Sequence, residues 1–251
     1  MRILGNVAKW LFILSLPALL VSATIAFEFN SLWLYKDGFQ KYNISQTTGL
    51  SEVELEKAAT GLINYFNSDE EYISLTVEKD GQPFELFNQR EVAHLRDVKA
   101  LIRLDYRLLL GTAIYVGIYA GICLFWRRRR YWRQTAWGTA IGSSITLGMI
   151  IALGIGSMVL DFNQLFLQFH FLAFTNELWM LDPARDYLIM LFPEGFWYDA
   201  AMLFGQITAG VAGTLLGMTL VYLRRARRQA TFLYTLPHQH ESLRPNLPKY
   251  K

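Results

Sequence analysis

Cysteine is almost absent from this chain, which has a single one, Cys123, among 251 residues. One cysteine can form neither an internal disulfide nor a cysteine-based metal site, and its position in an apolar run favours a packing role. The excess of positive charge is also small, at +3. Most of it comes from arginines that flank apolar runs, so it indicates membrane topology and contact with anionic membrane lipids and no nucleic-acid binding. The sequence shows no internal repeat or low-complexity tract.

Long apolar runs are what the chain has in abundance. Four of them are long enough to cross a bilayer, whose hydrocarbon core takes roughly 20 residues of helix. They cover residues 10–26, 108–126, 135–160 and 200–223. The last two are rich in Gly, Ala, Ser and Thr, the small residues that let membrane helices approach closely. The sequence therefore predicts an α-helical polytopic membrane protein with four transmembrane helices.

The basic residues near the ends of these runs predict the orientation, because loops rich in Lys and Arg stay cytoplasmic. Arg2 and Lys9 flank the first run, five arginines lie within 127–133, and four lie within 224–228. All three groups lie on one side of the membrane only if both termini are cytoplasmic. The first run also has the basic start, apolar core and small residues of a signal peptide, whose cleavage would leave three spans.

The segments between the runs divide the chain further. Residues 1–228 are expected to form the four-span membrane domain. It includes a small α+β extracytoplasmic cap at about 29–105, between the first and second spans, and an outer re-entrant or interfacial connection at about 161–199. The last segment, 229–251, is polar and rich in proline and is expected to be a flexible cytoplasmic tail.

Local patterns predict the structure of the cap. The sequence Ser51-Glu-Val-Glu54 is a capping box for a helix that reaches to about Phe66, because both side chains can accept from N–H groups left unpaired at a helix start. Alternating residues at 72–77, a turn at Asp80-Gly81 and a return at 83–87 predict a short hairpin. Asn88 then caps a helix that leads into the second span.

The outer connection holds polar and ionisable side chains in a stretch that is aromatic and aliphatic enough for a lipid interface. They are His170, Asn176, Glu177, Asp182, Arg185, Asp186 and Glu194. Ionisable groups are costly in such a place, so the cluster is a candidate functional site. Asp182-Pro183 also fits a plain helix start, since Asp is a favoured N-cap and Pro a favoured first residue. Arg185 and Asp186 could then simply pair within that helix.

The two histidines before the tail, His94 and His170, both fall on the predicted outer side. Asp97 shares a helix face with His94 and could orient its ring, as a carboxylate does for a general base. A solvated helix face explains this spacing as well, and a packed core position explains His170. A straight helix would lift His94 about 20 Å above the second span. We therefore expect a bend near residues 100–105 or a span that begins earlier than hydropathy suggests.

Two motifs that contain these histidines resemble those of Lit, the lipoprotein intramolecular transacylase family of four-span bacterial membrane proteins. The first is His94-Leu-Arg-Asp97-Val-Lys99. The second is Phe169-His170-Phe-Leu-Ala-Phe-Thr-Asn176-Glu-Leu-Trp-Met-Leu-Asp182-Pro183, followed by Asp186-Tyr-Leu-Ile189 and Phe192-Pro-Glu-Gly-Phe196. The resemblance covers about residues 5–225. Glu177 departs from the family pattern, which has Asp after the Asn.

The resemblance implies an acyltransferase. Its reaction would move the sn-2 acyl chain of a diacylglyceryl lipoprotein to the α-amino group of the N-terminal cysteine, giving a lyso-form lipoprotein. By motif match the catalytic residues would be His94 and His170, with His170 as the base. Asp97 would orient the ring of His94. Substrate contacts are expected at Asn176, Asp182 and Arg185. No Ser, Cys or Thr nucleophile stands out beside the histidines, which fits direct aminolysis.

The resemblance also implies where the enzyme works and with what. We expect a multi-pass protein of the bacterial cytoplasmic membrane whose active site lies at the outer leaflet. Its partners would be a diacylated lipoprotein substrate and membrane lipids, with no cofactor, no metal and no nucleic acid.

Two other functions stay open from the residues alone. A metal-dependent membrane hydrolase could use His94, His170 and two carboxylates as ligands, although the sequence has no HExxH motif. A non-enzymatic membrane scaffold or sensor, with the cap as a binding module, is compatible with the same fold.

Overall fold

The computed structural model describes residues 2–126 and 129–235. In chain order its elements are α1 (Arg2–Phe29), α2 (Leu32–Lys41), α3 (Ile44–Thr48), α4 (Glu52–Asn67), β1 (Thr76–Lys79), β2 (Gln82–Glu85), α5 (Gln89–Gly121, continued by a π-helical turn, Ile122–Trp126), α6 (Arg129–Val159), α7 (Phe162–Ala173), α8 (Tyr187–Leu191) and α9 (Glu194–Thr235). Within the described ranges, the helices long and apolar enough to cross a membrane are α1, α5, α6 and α9. Each of the four predicted apolar runs therefore falls on a helix that is long and apolar enough to cross a membrane.

Helix α1 contacts the other three long helices. A Cβ added at Gly142 of α6 would lie 2.9 Å from Leu16 Cδ2, so the two backbones approach closely. The hydroxyl of Thr208 on α9 donates to that of Thr24 on α1 at 3.1 Å. Both contacts are of the kind that small residues permit between membrane helices. Helix α1 is therefore packed as part of the four-helix bundle.

The basic segments gather at one end of the bundle. Tyr115 Oη donates to the carbonyl oxygen of Ala8 at 2.7 Å, which places the start of α1 beside the later part of α5. The guanidinium carbon of Arg227 lies 5.8 Å from the ring centre of Trp137, which places the arginine-rich part of α9 beside the start of α6. At the opposite end of α1, Asn30 Nδ2 donates to Tyr106 Oη in the earlier part of α5, and His170 lies beside His94 near the start of α5.

The residues between α1 and α5 contain the predicted helix, α4, and the predicted hairpin, together with two helices that were not predicted, α2 and α3. Ser51 Oγ accepts from the Glu54 N–H at 3.3 Å and starts α4. The Glu54 carboxylate accepts from the Glu78 N–H of β1 at 2.8 Å, so only half of the predicted capping box forms there. A complete capping box occurs at the start of α5, where Asn88 and Glu91 each accept from the other's backbone N–H.

The hairpin pairs β1 and β2 antiparallel, with Lys79 opposite Gln82. Asp80 and Gly81 form its two-residue turn with φ of 54° and 72°, the left-handed conformation that an Asp-Gly turn adopts most easily. Strand β1 begins at residue 76 and not at the predicted 72. The reason is local, since the N–H of Leu75 is taken by the side chain of Glu85 at 2.9 Å.

Helix α2 fixes the cap to the start of α9. A Cβ added at Gly38 would lie 2.3 Å from Phe196 Cδ2, so α2 and α9 approach at a point where a larger residue would clash. Lys41 Nζ and Tyr42 Oη donate to Asp199 Oδ2 at 2.5 and 2.7 Å. One hydrophobic core extends from the cap helices to α5, α8 and the start of α9.

Two predicted boundaries can be compared with the structure. Helix α5 begins at Gln89 and is continuous through residues 100–105, so His94 and the predicted second span lie on one helix, and both the bend and the early start of the span stay predictions. Helix α9 continues to Thr235, past the predicted boundary at 228. Residues 236–251 of the predicted tail lie outside the described residues.

Candidate active site

His170 lies in the last turn of α7, and the helix backbone fixes its ring. Its Nδ1 is 2.7 Å from the carbonyl oxygen of Phe166, one turn earlier. Because a carbonyl can only accept, Nδ1 must carry the proton, and in the neutral ring the lone pair is on Nε2. The helix thus selects the tautomer whose Nε2 can act as a general base.

His94 lies one turn after the capping box of α5 and faces His170. The ring centres of the two histidines are 6.3 Å apart, with an angle of 34° between the ring planes. His94 Nδ1 is buried and has no hydrogen-bond partner within the described part of the chain. The structure therefore brings together the two histidines that the sequence pairs, while their catalytic roles stay a prediction.

Aromatic rings surround the pair. The ring centre of Phe166 is 4.3 Å and that of Trp179 5.0 Å from the ring centre of His170, and Phe174 meets His94 edge-on at 5.1 Å. His94 is 6% exposed and His170 8%. Both histidines are thus buried among apolar rings.

The surroundings of His170 determine its charge. Burial lowers its pKa from the ordinary value of 6.5, and the hydrogen bond to the Phe166 carbonyl acts in the opposite direction with a smaller effect. Burial disfavours the charged imidazolium because the apolar rings cannot replace its hydration. At neutral pH His170 is therefore neutral, with the Nε2 lone pair available to take a proton.

Asp97 does not make the predicted bond to His94. Its Oδ2 accepts from Asn176 Nδ2 at 2.8 Å, and its Oδ1 lies 4.0 Å from Arg96 Nε. The ring of His94 packs against Phe174 and His170. The Asp97 carboxylate therefore bonds the side-chain amide of Asn176, in the loop after α7. Asn176 is thus a partner of Asp97, and its predicted contact with substrate is a separate proposal.

Asp182 and Arg185 lie apart from the histidine pair. Asp182 does not start a helix; its Oδ1 accepts from the Ala184 N–H at 2.9 Å and closes a single turn, and α8 begins later. Arg185 Nε donates to Asp182 at 3.0 Å, so the predicted pairing of Arg185 with Asp186 is wrong. The side chains of Arg185 and Asp182 are 82% and 46% exposed. In the described structure neither makes a hydrogen bond or ion pair with a histidine.

A buried carboxyl that the sequence did not single out connects the helix of His94 to α8. Glu91 is 1% exposed and accepts from the Leu188 N–H at 2.6 Å and the Asn88 N–H at 2.8 Å. Asn88 Nδ2 in turn donates to Asp186 at 2.8 Å, which holds Asp186 away from Arg185. The Asn-x-x-Glu pattern of a capping box is visible in the sequence, but nothing there indicates its second partner on α8.

Arg90 is a second residue that the sequence did not indicate. Its guanidinium donates to the carbonyl oxygens of Glu177 and Leu178, at 2.8 and 3.4 Å. Together with the bond between Asp97 and Asn176, it attaches the loop after α7 to α5. In residues 2–126 and 129–235, no three His, Cys, Asp or Glu side chains are grouped so that they could hold a metal ion.

Comparison with known proteins agrees with the motif resemblance. The family model described as lipoprotein intramolecular transacylase Lit matches residues 10–197, about three-quarters of the chain. The structure of the membrane integral lipoprotein intramolecular transacylase Lit from Bacillus cereus is similar with a TM-score of 0.74 at 20% identity, covering 91% of this chain and 100% of that one.

Two variants of the Bacillus cereus protein, in which one histidine is replaced by arginine or by alanine, give TM-scores of 0.69 and 0.65 at 20% and 21% identity. These alignments cover 90% and 91% of this chain and 95% of each variant. Among curated proteins none is similar enough to count as a match. The solved structures show a shared fold, and the family match includes both histidine motifs. The chain therefore belongs to the Lit family of lipoprotein intramolecular transacylases.

Proposed function

We propose that this acyltransferase moves the sn-2 acyl chain of a diacylglyceryl lipoprotein to the α-amino group of the lipoprotein's N-terminal cysteine. The observation that carries the proposal is the pair of facing imidazoles, 6.3 Å apart, one of which is held with its Nε2 lone pair available. Amine and ester belong to one substrate molecule, so the enzyme has to fold them together, move a proton and stabilise the oxyanion.

In the first step the cysteine nitrogen attacks the ester carbonyl carbon. A free α-amino group has a pKa of about 7.7–8.0, so its ammonium form gives one proton to the solvent before the neutral amine can attack. As the new C–N bond forms, Nε2 of His170 takes a second proton from the nitrogen, because Nδ1 is already bonded to Phe166. The carbonyl oxygen becomes the oxyanion of a tetrahedral intermediate.

In the second step the intermediate collapses. The bond from the acyl carbon to the glyceryl oxygen breaks, and that oxygen receives a proton from the imidazolium, which restores neutral His170. The products are an amide and an alcohol, and counted from the neutral amine the step takes up and releases no proton. His94 faces the same space and is assigned to the oxyanion or to the leaving oxygen, since its buried Nδ1 lacks a partner within the described chain. A donor there would stabilise charge that develops only in the transition state.

Mass spectrometry of a lipoprotein N-terminal peptide tests the reaction. In bacterial cells that lack any other N-acylating enzyme, expression of this chain is expected to convert the diacyl peptide into the lyso form with an N-acyl group. The two forms are isomers of equal mass, so fragment ions that carry the acyl chain on the N-terminal cysteine nitrogen distinguish them. An unchanged diacyl peptide, with the protein present in the membrane, would contradict the proposal.

We place the active site at the outer leaflet, with both termini cytoplasmic. The basic segments lie at one end of the bundle and the histidines at the other, and positively charged loops stay cytoplasmic. A diacylated lipoprotein is anchored in the outer leaflet, so the proposed orientation presents the histidine pair to the lipid that carries the reacting ester. Asn176, Asp182 and Arg185 remain proposed contacts for the glyceryl and peptide parts of the substrate.

Cysteine labelling tests this orientation. In a Cys123→Ser background, a membrane-impermeant thiol reagent is expected to modify an Asp80→Cys variant in intact cells. It should modify a Gln229→Cys variant only after permeabilisation, because that residue follows the last arginine cluster. The opposite pattern would place the histidine pair on the cytoplasmic side.

A further inference from the structure

The histidine pair is covered by residues 174–181, which we call the covering segment. It follows α7 and contains no helix or strand. Phe174 begins it and lies against both histidines, and Trp179, near its end, lies against His170. Because both imidazoles are nearly inaccessible in this structure, the covering segment separates them from their surroundings on this side.

Side chains of α5 hold the covering segment in place. Asp97 accepts from Asn176 at 2.8 Å near the start of the segment, and Arg90 donates to the carbonyl oxygens of Glu177 and Leu178 in its middle. Asn176 Oδ1 also accepts from the Leu178 N–H at 3.1 Å, so the two attachments are linked. These hydrogen bonds come from the helix that carries His94, and breaking them requires no unfolding of a helix.

We propose that Arg90, Asp97 and Asn176 determine which nucleophile takes the acyl chain. They are positioning residues: by holding Phe174 and Trp179 over the histidine pair, they exclude water, so that the tethered amine attacks the ester. The inference rests on the proposed function, because the same base and the same ester serve both nucleophiles. Closure that keeps water from a reacting centre is a general means of preventing side reactions.

The competing reaction is a complete ester hydrolysis. The oxygen of water attacks the acyl carbon, and Nε2 of His170 takes one of its protons. The bond to the glyceryl oxygen then breaks, and that oxygen receives the proton from His170. The products are a free fatty acid and a lyso-lipoprotein whose α-amino group is unmodified. The fraction of acyl chains released as fatty acid therefore measures how well water is excluded.

Two variants loosen the covering segment by different means. Asn176→Asp places a second carboxylate where the amide now donates to Asp97, and like charges at that distance repel. The double variant Asp97→Asn/Asn176→Asp restores the hydrogen bond with donor and acceptor exchanged. Arg90→Met keeps most of the apolar stem but removes the bonds to both carbonyl oxygens.

Arg103→Met is the matched control for Arg90→Met. Arg103 also projects from α5 and donates to a loop, through the carbonyl oxygen of Ser68 at 2.5 Å and the carboxylate of Asp69 at 2.9 Å. That loop belongs to the cap and does not cover the histidines. A general loosening of loops on α5 would affect both arginine variants, whereas loss of the cover affects only Arg90→Met.

The experiment uses the full chain in liposomes with a diacylated lipopeptide, and measures released fatty acid and N-acyl product by mass spectrometry. We expect the ratio of fatty acid to N-acyl product to rise roughly ten-fold in Asn176→Asp and Arg90→Met. This rise corresponds to a loss of about 1.4 kcal/mol in the free energy that holds the covering segment over the histidines. The double variant should return toward the parental ratio, and Arg103→Met should keep it. Modification of His170 by diethylpyrocarbonate, followed on its peptide, should be faster in the same two variants.

Several results would overturn the inference. Slower turnover with an unchanged product ratio and unchanged His170 modification would show that the three residues are structural. Faster His170 modification with an unchanged ratio would show that the segment covers the base without selecting the nucleophile. A double variant with the same ratio of fatty acid to N-acyl product as Asn176→Asp would mean that Asp97 acts on something other than Asn176. If the parental chain itself formed no N-acyl product, the proposed function would fail, and that outcome is distinct from the other three.

Discussion

Replacing His170 by asparagine is expected to lower acyl transfer by about 10²–10⁴-fold, the usual contribution of a general base. Asparagine has no basic nitrogen to take the proton of the attacking amine. Its amide N–H can still donate to the Phe166 carbonyl, which His170 Nδ1 does now at 2.7 Å. The variant therefore removes the base with little change to the last turn of α7. Quantification of N-acyl product in liposomes, at equal amounts of folded enzyme, measures the effect.

His94→Asn is expected to cost a similar factor, and the double variant should be little worse than either single one, because residues that act as a unit lose most of their effect together. His238→Ala is the matched control. It removes a histidine outside the described residues and outside both motifs, so the rate should not change. Transfer at the parental rate by His170→Asn would make His170 a packing residue and leave the proposed mechanism without its base.

The membrane fold could be predicted because its determinants are local. Each span is one continuous apolar run, and the positive charges that flank the runs are adjacent to them in sequence. The Asp80-Gly81 turn and the helix N-cap at Ser51 are likewise determined by a few neighbouring residues, and both form where predicted. The pairing of His94 with His170 was predicted from two sequence motifs of a family whose members share this fold. No local pattern predicts that the two rings lie side by side.

The partners of the site's polar residues could not be predicted, because they lie far apart in the chain. Asp97 bonds a residue 79 positions away, and Glu91 bonds one 97 positions away. Spacing along a helix shows which side chains share a face, but it does not show what a neighbouring element presents to that face. Asp182 illustrates the same limit. Its sequence pattern predicted a helix start, but Asp182 only closes a single turn, Asn88 holds Asp186, and α8 begins one turn later than a helix from Pro183 would.

Replacing Glu91 by leucine is expected to be the most destabilising single change near the site. Leucine fills much of the same volume but cannot accept from the Leu188 N–H, and a buried N–H without a partner costs about 1–3 kcal/mol. The reciprocal capping-box bond from the Glu91 side chain to the Asn88 N–H is lost as well. Thermal unfolding of the purified protein, followed by tryptophan fluorescence, should show a Tm lower by several degrees.

Two further variants distinguish the effect on Tm of losing the buried hydrogen bonds of Glu91 from the effect of losing a carboxylate charge. Glu91→Gln keeps one acceptor oxygen for either Leu188 or Asn88 and presents an N–H₂ group to the other, so its Tm should fall between those of the parent and Glu91→Leu. Glu56→Gln removes a carboxyl that pairs with Lys36 at 2.7 Å on the cap surface, where both side chains are about half exposed. Such a pair contributes about 0–1 kcal/mol, so this variant should unfold close to the parental Tm. If Glu91→Leu also unfolded there, the junction between α5 and α8 would not depend on this carboxyl, and the position of His94 would have to be maintained by the apolar packing of α5 alone.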